Sequence, residues 1–135
     1  DYEAELAVII KKDAKDVKPG EVKDYIFGYT IMNDVSAREV QTEHKQWYFG
    51  KSLDGFFPNG TMYHNSGRYP ISAKAFYPVP RQWGIKTDSN TELLIFGIDH
   101  IVSELSKGMT LKPGTIIATG TPAGAGNGDL HRPDF

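Results

Sequence analysis

Glu3 and Glu5 stand two apart in Asp1-Tyr2-Glu3-Ala4-Glu5-Leu6, a stretch that reads as the start of a strand. Side chains at i and i+2 of a strand share one face. Two carboxylates would therefore lie side by side, opposite the face of Tyr2, Ala4 and Leu6. Parallel carboxylates repel, and a cation between them would be stabilising. Their hard oxygens suit Mg²⁺, Mn²⁺ or Ca²⁺ rather than zinc. A solvated strand face carrying two charges is the plain alternative. Asp34 follows a second strand pattern and offers a third carboxylate. Arg38 and Gln41 are three apart on the helix predicted next and share its face. Beside a metal-bound substrate that pair could position a carboxylate. Lys51 stands among Trp47, Tyr48, Phe49, Phe56 and Phe57, either snorkelling or held as a cation in a pocket. Thr121 lies in Thr119-Gly120-Thr121-Pro122, a sharp turn after a strand. Its hydroxyl could bond a ligand oxygen or local backbone.

Several elements must position these groups. Residues 2–11 alternate as a strand, and Pro19-Gly20 marks a turn before a short helix over 21–26. Residues 27–32 predict a second strand. Ser36-Ala37-Arg38-Glu39 fits a capping box, so a helix is expected from there to about Gln46. Residues 47–70 read as long loops, and 71–87 as one or two edge strands broken by prolines. Helical spacing of Ile98, Ile101, Val102 and Leu105 predicts a helix over 99–107. Residues 115–119 read as a strand, followed by a glycine-rich loop. Irregular order and short helices indicate an α+β fold rather than alternating βαβ units.

The chain has 135 residues, one domain by length. Its 15 basic and 17 acidic residues leave a net charge of −2, with no basic excess for nucleic acid. No apolar run reaches the ~20 residues of a membrane span. Cysteine is absent, which excludes disulfides and a thiolate nucleophile. No signal peptide is visible, and a cytoplasmic location is expected. Gly50-Lys51-Ser52 lacks the upstream glycine of a phosphate-binding loop, since Lys45 stands there. The glycines at 120, 124, 126 and 128 do not fit a dinucleotide fingerprint. The four histidines lack zinc-protease spacing, and no Gly-x-Ser-x-Gly elbow occurs.

The ordered blocks Glu3-Ala4-Glu5, Asn33-Asp34-Val35-Ser36-Ala37-Arg38, Gly50-Lys51-Ser52, Leu111-Lys112-Pro113-Gly114 and Thr119-Gly120-Thr121-Pro122 resemble the fumarylacetoacetate hydrolase family over nearly the whole chain. The resemblance implies a mixed β-roll with short helices and a homodimer. It implies a divalent metal, Mg²⁺ or else Mn²⁺ or Ca²⁺, on Glu3, Glu5 and Asp34. It assigns Arg38, Gln41, Lys51 and Thr121 to a small 2-oxo acid substrate, with Lys51 catalytic. The metal would chelate the carboxylate and 2-oxo group and stabilise an enolate, with Lys51 beside the developing oxyanion. Residues 1–135 would form a single catalytic-core domain. The family's His–Glu lid and its closing strands are expected outside it, as the opening in strand and the closing in loop suggest.

The chain departs from the family pattern at Glu39 and Thr115, where the family usually has Asp, and strongly over 61–87. The leading expectation is metal-dependent hydrolysis of a carbon–carbon bond in 2,4-dioxo acids, as in aromatic catabolism. The alternatives are a decarboxylase or tautomerase of oxaloacetate- or hydroxymuconate-like 2-oxo diacids, and a non-catalytic scaffold copy. Hydrolysis needs a general base. The internal candidate is His44, expected to be a surface residue.

Overall fold

The computed structural model describes residues 1–43, 45–56, 64–65, 79–81, 84–87 and 89–123. Among these residues are six strands: β1 (Ala4–Ile10), β2 (Ile26–Asn33), β3 (His64–Asn65), β4 (Val79–Arg81), β5 (Gly84–Thr87) and β6 (Ile116–Ala118). The described residues also form the helices α1 (Arg38–Glu43), α2 (Trp47–Lys51) and α3 (Ile98–Gly108). Two 3₁₀ turns cover Pro19–Tyr25 and Thr91–Leu93. One sheet runs β3-β2-β1-β6, and β4 pairs with β5. The α+β class is as expected. Every pairing among the described residues is antiparallel, so the mixed pairing expected of a roll is not seen there. Among them too, no helix is long and apolar enough to cross a membrane.

β1 is central, and all seven of its residues are buried. Leu6, Val8 and Ile10 pack with Val17, Val22, Ile26, Tyr29, Val102, Leu111 and Ile117 into the hydrophobic core. β-branched and aliphatic side chains suit such a strand because both faces are covered. α3 lies over this core by Val102, with Ile98, Ile101 and Leu105 beside it. Asp99 in its first turn and Lys107 in its last complement the helix dipole. Ser106 is fully buried and binds α3 to the neighbouring turn, accepting from the Val17 N–H at 3.0 Å.

The turn into β6 explains one departure from the family pattern. Thr115 N–H donates to the Lys112 carbonyl at 2.9 Å, closing a β-turn with Pro113 and Gly114 at its centre. Gly114 has φ +83°, which a type II turn requires of its third residue. The Thr115 hydroxyl then accepts from the Lys112 N–H at 3.1 Å. Thr115 therefore serves the turn, in place of an Asp.

Three expectations are corrected. The helix after Ser36 ends at Glu43, and a second helix, α2, forms where loop was expected. The capping box does not form. The first helical acceptor is the Ala37 carbonyl, which takes the Gln41 N–H at 2.9 Å. Ser36 thus sits one position too early, and its hydroxyl donates to the Asp34 carbonyl at 3.0 Å. The expected edge strands over 71–87 appear as β4 and β5, while 71–78 lie outside the described residues, as does His44.

Candidate metal and substrate centre

The register of β1 on its two neighbours assembles the acidic cluster. Ala4 pairs with Asn33 on β2. One step outward, Asp34 N–H donates to the Glu3 carbonyl at 2.8 Å, and the Asn33 side chain accepts from the Glu3 N–H at 3.0 Å. Glu3 and Asp34 are thereby held opposite each other. On the other edge, Ala7 pairs with Ala118 of β6. The same register carries Gly120 alongside Glu5, whose Oε2 accepts from the Gly120 N–H at 2.8 Å. Gly120 has φ +105°, so the turn that aims this N–H favours glycine.

Glu3, Glu5 and Asp34 offer carboxylate oxygens that all lie within 4.8 Å of one another, and all three residues are buried. The solvated strand face is thus ruled out for Glu3 and Glu5. Like charges so close in a partly dry setting require compensation. Lys51 supplies part of it, with Nζ donating to Glu3 Oε2 at 2.8 Å and to Asp34 Oδ2 at 2.5 Å. Arg38 supplies more. Its Nη2 reaches Glu3 Oε1 at 2.5 Å, Nε reaches Asp1 Oδ2 at 2.7 Å, and Nη1 reaches Gln41 Oε1 at 3.0 Å. The Thr121 hydroxyl contacts Glu5 Oε1 at 2.7 Å and Glu3 Oε2 at 3.0 Å.

These surroundings push the two glutamates in opposite directions. Burial is the largest single influence at Glu3 and acts upward. Hydrogen bonds from Lys51, Arg38 and Thr121 together outweigh it and hold the carboxyl below its ordinary value. At Glu5 burial prevails over the Thr121 and Gly120 hydrogen bonds and holds the carboxyl above its ordinary value. Burial would lower Lys51, but Asp34 and Glu3 override it and raise its pKa.

The cluster fits a hard divalent cation. All three donors are carboxylates, as such ions prefer. Asp34 Oδ1 is buried and, among the described residues, has no hydrogen-bond partner. A buried carboxylate oxygen without a partner is costly and is the kind of atom a cation would satisfy.

Each site residue expected from the sequence reaches this centre. Lys51, Arg38 and Thr121 each bond Glu3, Lys51 also bonds Asp34, Thr121 also bonds Glu5, and Gln41 joins through Arg38. Thr121 bonds side chains of the cluster rather than local backbone. Sequence reasoning missed Gly120 as a backbone donor and Asp1 as the second acidic partner of Arg38. A glycine inside a turn that follows a strand was the available signal for Gly120. Nothing local marked Asp1. A cleft of about 440 Å³ adjoins the centre and shares Gly120 and Thr121 with it, its other walls including Leu93, Leu94, Ile95 and Phe96.

The chain is similar to known proteins over nearly its whole length. The family model "Fumarylacetoacetate (FAA) hydrolase C-terminal" matches residues 1–134. The oxaloacetate tautomerase YisK of Bacillus subtilis strain 168 is 42% identical over 95% of this chain and 42% of its own length. A fumarylacetoacetate hydrolase from Exiguobacterium antarcticum superposes with a TM-score of 0.86 at 41% identity, over 91% of this chain and 44% of its own. A Pseudomonas aeruginosa fumarylpyruvate hydrolase, solved with Mn²⁺ and pyruvate, gives 0.84 at 27% identity, over 91% of this chain and 54% of its own. The chain thus spans less than half the length of the first curated relatives it matches.

Proposed function

The chain belongs to the fumarylacetoacetate hydrolase family, and on that premise we propose that it acts on a small 2-oxo acid through an enolate. The observation that carries this reading is the convergence of Glu3, Glu5 and Asp34, with oxygens within 4.8 Å of one another. These three would hold a divalent cation, Mg²⁺ or Mn²⁺ in the first place and Ca²⁺ in the second. A cation bound there would supply Lewis-acid stabilisation to the carboxylate and 2-oxo oxygens of the substrate.

The chain's own residues do the rest. Lys51 has a raised pKa and is a fixed positive charge at neutral pH, not a base. It is placed to stabilise negative charge developing on a substrate oxygen. Arg38 has five N–H donors, and its contacts with Asp1, Glu3 and Gln41 fix the guanidinium beside the cluster. A remaining Nη1 hydrogen and the Gln41 amide are the donors for a substrate carboxylate. Thr121 orients Glu5 through its hydroxyl.

Keto–enol tautomerisation of an oxaloacetate-like 2-oxo diacid asks least of such a centre. Solvent water can take the proton from carbon and return one to oxygen, and no water has to act as a nucleophile. The relative named as an oxaloacetate tautomerase supports this reading. The second reading is hydrolytic cleavage of a 2,4-dioxo acid, supported by the likeness to a fumarylacetoacetate hydrolase. The substrate, and a working homodimer, are part of the proposal. The test is a panel of oxaloacetate, acylpyruvates and hydroxymuconate-type diacids, each with Mg²⁺ and with Mn²⁺, using the longest natural form of the protein. Acceleration of oxaloacetate enol–keto interconversion, followed by ultraviolet absorbance, is the expected result. Acylpyruvate cleavage without that acceleration would favour the hydrolase. Metal binding without turnover of any member would leave a non-catalytic copy.

A further inference from the structure

Lys51 does more than flank the carboxylates: it occupies them. Its ammonium bridges Glu3 Oε2 and Asp34 Oδ2 at 2.8 and 2.5 Å. Among the described residues Glu5 contacts no cation and is held by the Thr121 hydroxyl and the Gly120 N–H. Arg38 is divided between Asp1 and Glu3. Among the described residues Lys51 is therefore the charge on which Asp34 relies. The root of its side chain is held in place, because Gly50 is pressed against the Gln41 backbone and its carbonyl accepts the Ala37 N–H at 2.8 Å.

We propose that Lys51 is the resident cation of this centre and competes with the divalent ion for Glu3 and Asp34. The inference rests on the reading of the cluster as a divalent site. Without a divalent ion, the ammonium neutralises carboxylates that are largely withdrawn from water. When the ion binds, two cations share one group of oxygens. Their repulsion falls only as the inverse of distance and is weakly screened where water is scarce. Lys51 thus trades divalent affinity for stability of the metal-free fold. A residue that merely oriented the ligands would act with the opposite sign, since losing such a partner weakens metal affinity by about 10–100-fold.

The experiment measures Mn²⁺ affinity by calorimetry, and metal-free Tm, for the wild type, Lys51→Met and Lys51→Arg. Methionine keeps the length of the stem and removes the charge. Lys51→Met is expected to bind Mn²⁺ at least about tenfold more tightly, on the scale of other changes beside metal ligands. Its metal-free Tm is expected to fall, with a larger rise on adding Mn²⁺. Lys51→Arg keeps a cation and should stay near the wild type. Equal or weaker Mn²⁺ affinity in folded Lys51→Met would overturn the proposal. If Lys51→Met folds only with Mn²⁺, the competition is supported, since the ion replaces the ammonium. If it fails to fold even then, the proposal is overturned. Failure of the wild type itself to take up Mn²⁺ would instead remove the underlying reading of the site.

Discussion

Gly50 lies against the backbone of Gln41 so closely that a Cβ at position 50 would come within 2.9 Å of the Gln41 nitrogen and 3.0 Å of its Cα. This contact draws α2 onto α1, and so places Lys51 and Arg38 around the same carboxylates. Alanine there would gain about 1 kcal/mol in helix propensity. Forcing backbone apart costs about 1–3 kcal/mol, and the neighbouring atoms are main chain that cannot rotate away. Gly50→Ala should lower the urea midpoint. An unchanged midpoint would show that α1 and α2 can separate freely.

Glu3 and Glu5 should respond to pH with opposite signs in the metal-free protein. The Glu3 carboxyl lies below its ordinary 4.5 in the fold, because its cationic and hydroxyl partners outweigh burial. It contributes stability above pH 4.5 that disappears as pH falls through its folded pKa. Glu5 lies above 4.5 because burial outweighs its hydrogen bonds, so its charge opposes folding at neutral pH. Glu3→Gln should therefore be less stable than wild type at pH 7, and Glu5→Gln more stable. Both differences should shrink in acid, Glu5→Gln between its raised folded pKa and 4.5, and Glu3→Gln below 4.5. Denaturation curves at pH 7 and pH 3 check this, and shifts of the same sign would contradict it.

The Thr121 hydroxyl has a single proton to give, and the shorter contact, 2.7 Å, is with Glu5. Thr121→Val removes that donor while keeping the shape of the side chain. The expected cost is about 1 kcal/mol, typical of one hydrogen bond. The Glu5 carboxyl should rise further, which carbon-detected NMR titration of Glu5 would reveal.

Lys51→Ala should lower kcat about a hundredfold in the active protein, as loss of one charge-stabilising donor does. A raised KM with unchanged kcat would make Lys51 a substrate anchor instead.

A divalent ion should stabilise the chain by mass action, by about 2.7 kcal/mol at a hundred times its Kd. Thermal scans with Mg²⁺ or Mn²⁺ should show a rise in Tm that EDTA reverses. Asp34→Asn, which alters the carboxylate with the unpartnered buried oxygen, should lose most of that rise.

Local sequence determined a good deal here. Alternation over β1 and β2, the apolar spacing of α3 and the proline–glycine turn before β6 follow from nearest-neighbour stereochemistry, and each element lies within a few residues of its expected place. The pairing of Glu3 with Glu5 on one face follows from strand periodicity alone. Only the tertiary structure decided what those residues do together. Ser36 fits a capping box by spacing, but the chain enters α1 one residue later, and its hydroxyl secures Asp34 instead. Helix α2 carries three exposed aromatics, Trp47, Tyr48 and Phe49, with no amphipathic pattern to announce it. It exists because Gly50 can dock on Gln41. The burial of Glu3, Glu5 and Asp34, and the insertion of Lys51 between two of them, depend on strand register and on contacts across up to 118 positions of sequence, as from Glu3 to Thr121. Such charges settle together only once the rest of the chain has excluded water around them, and spacing along the sequence carries no record of that.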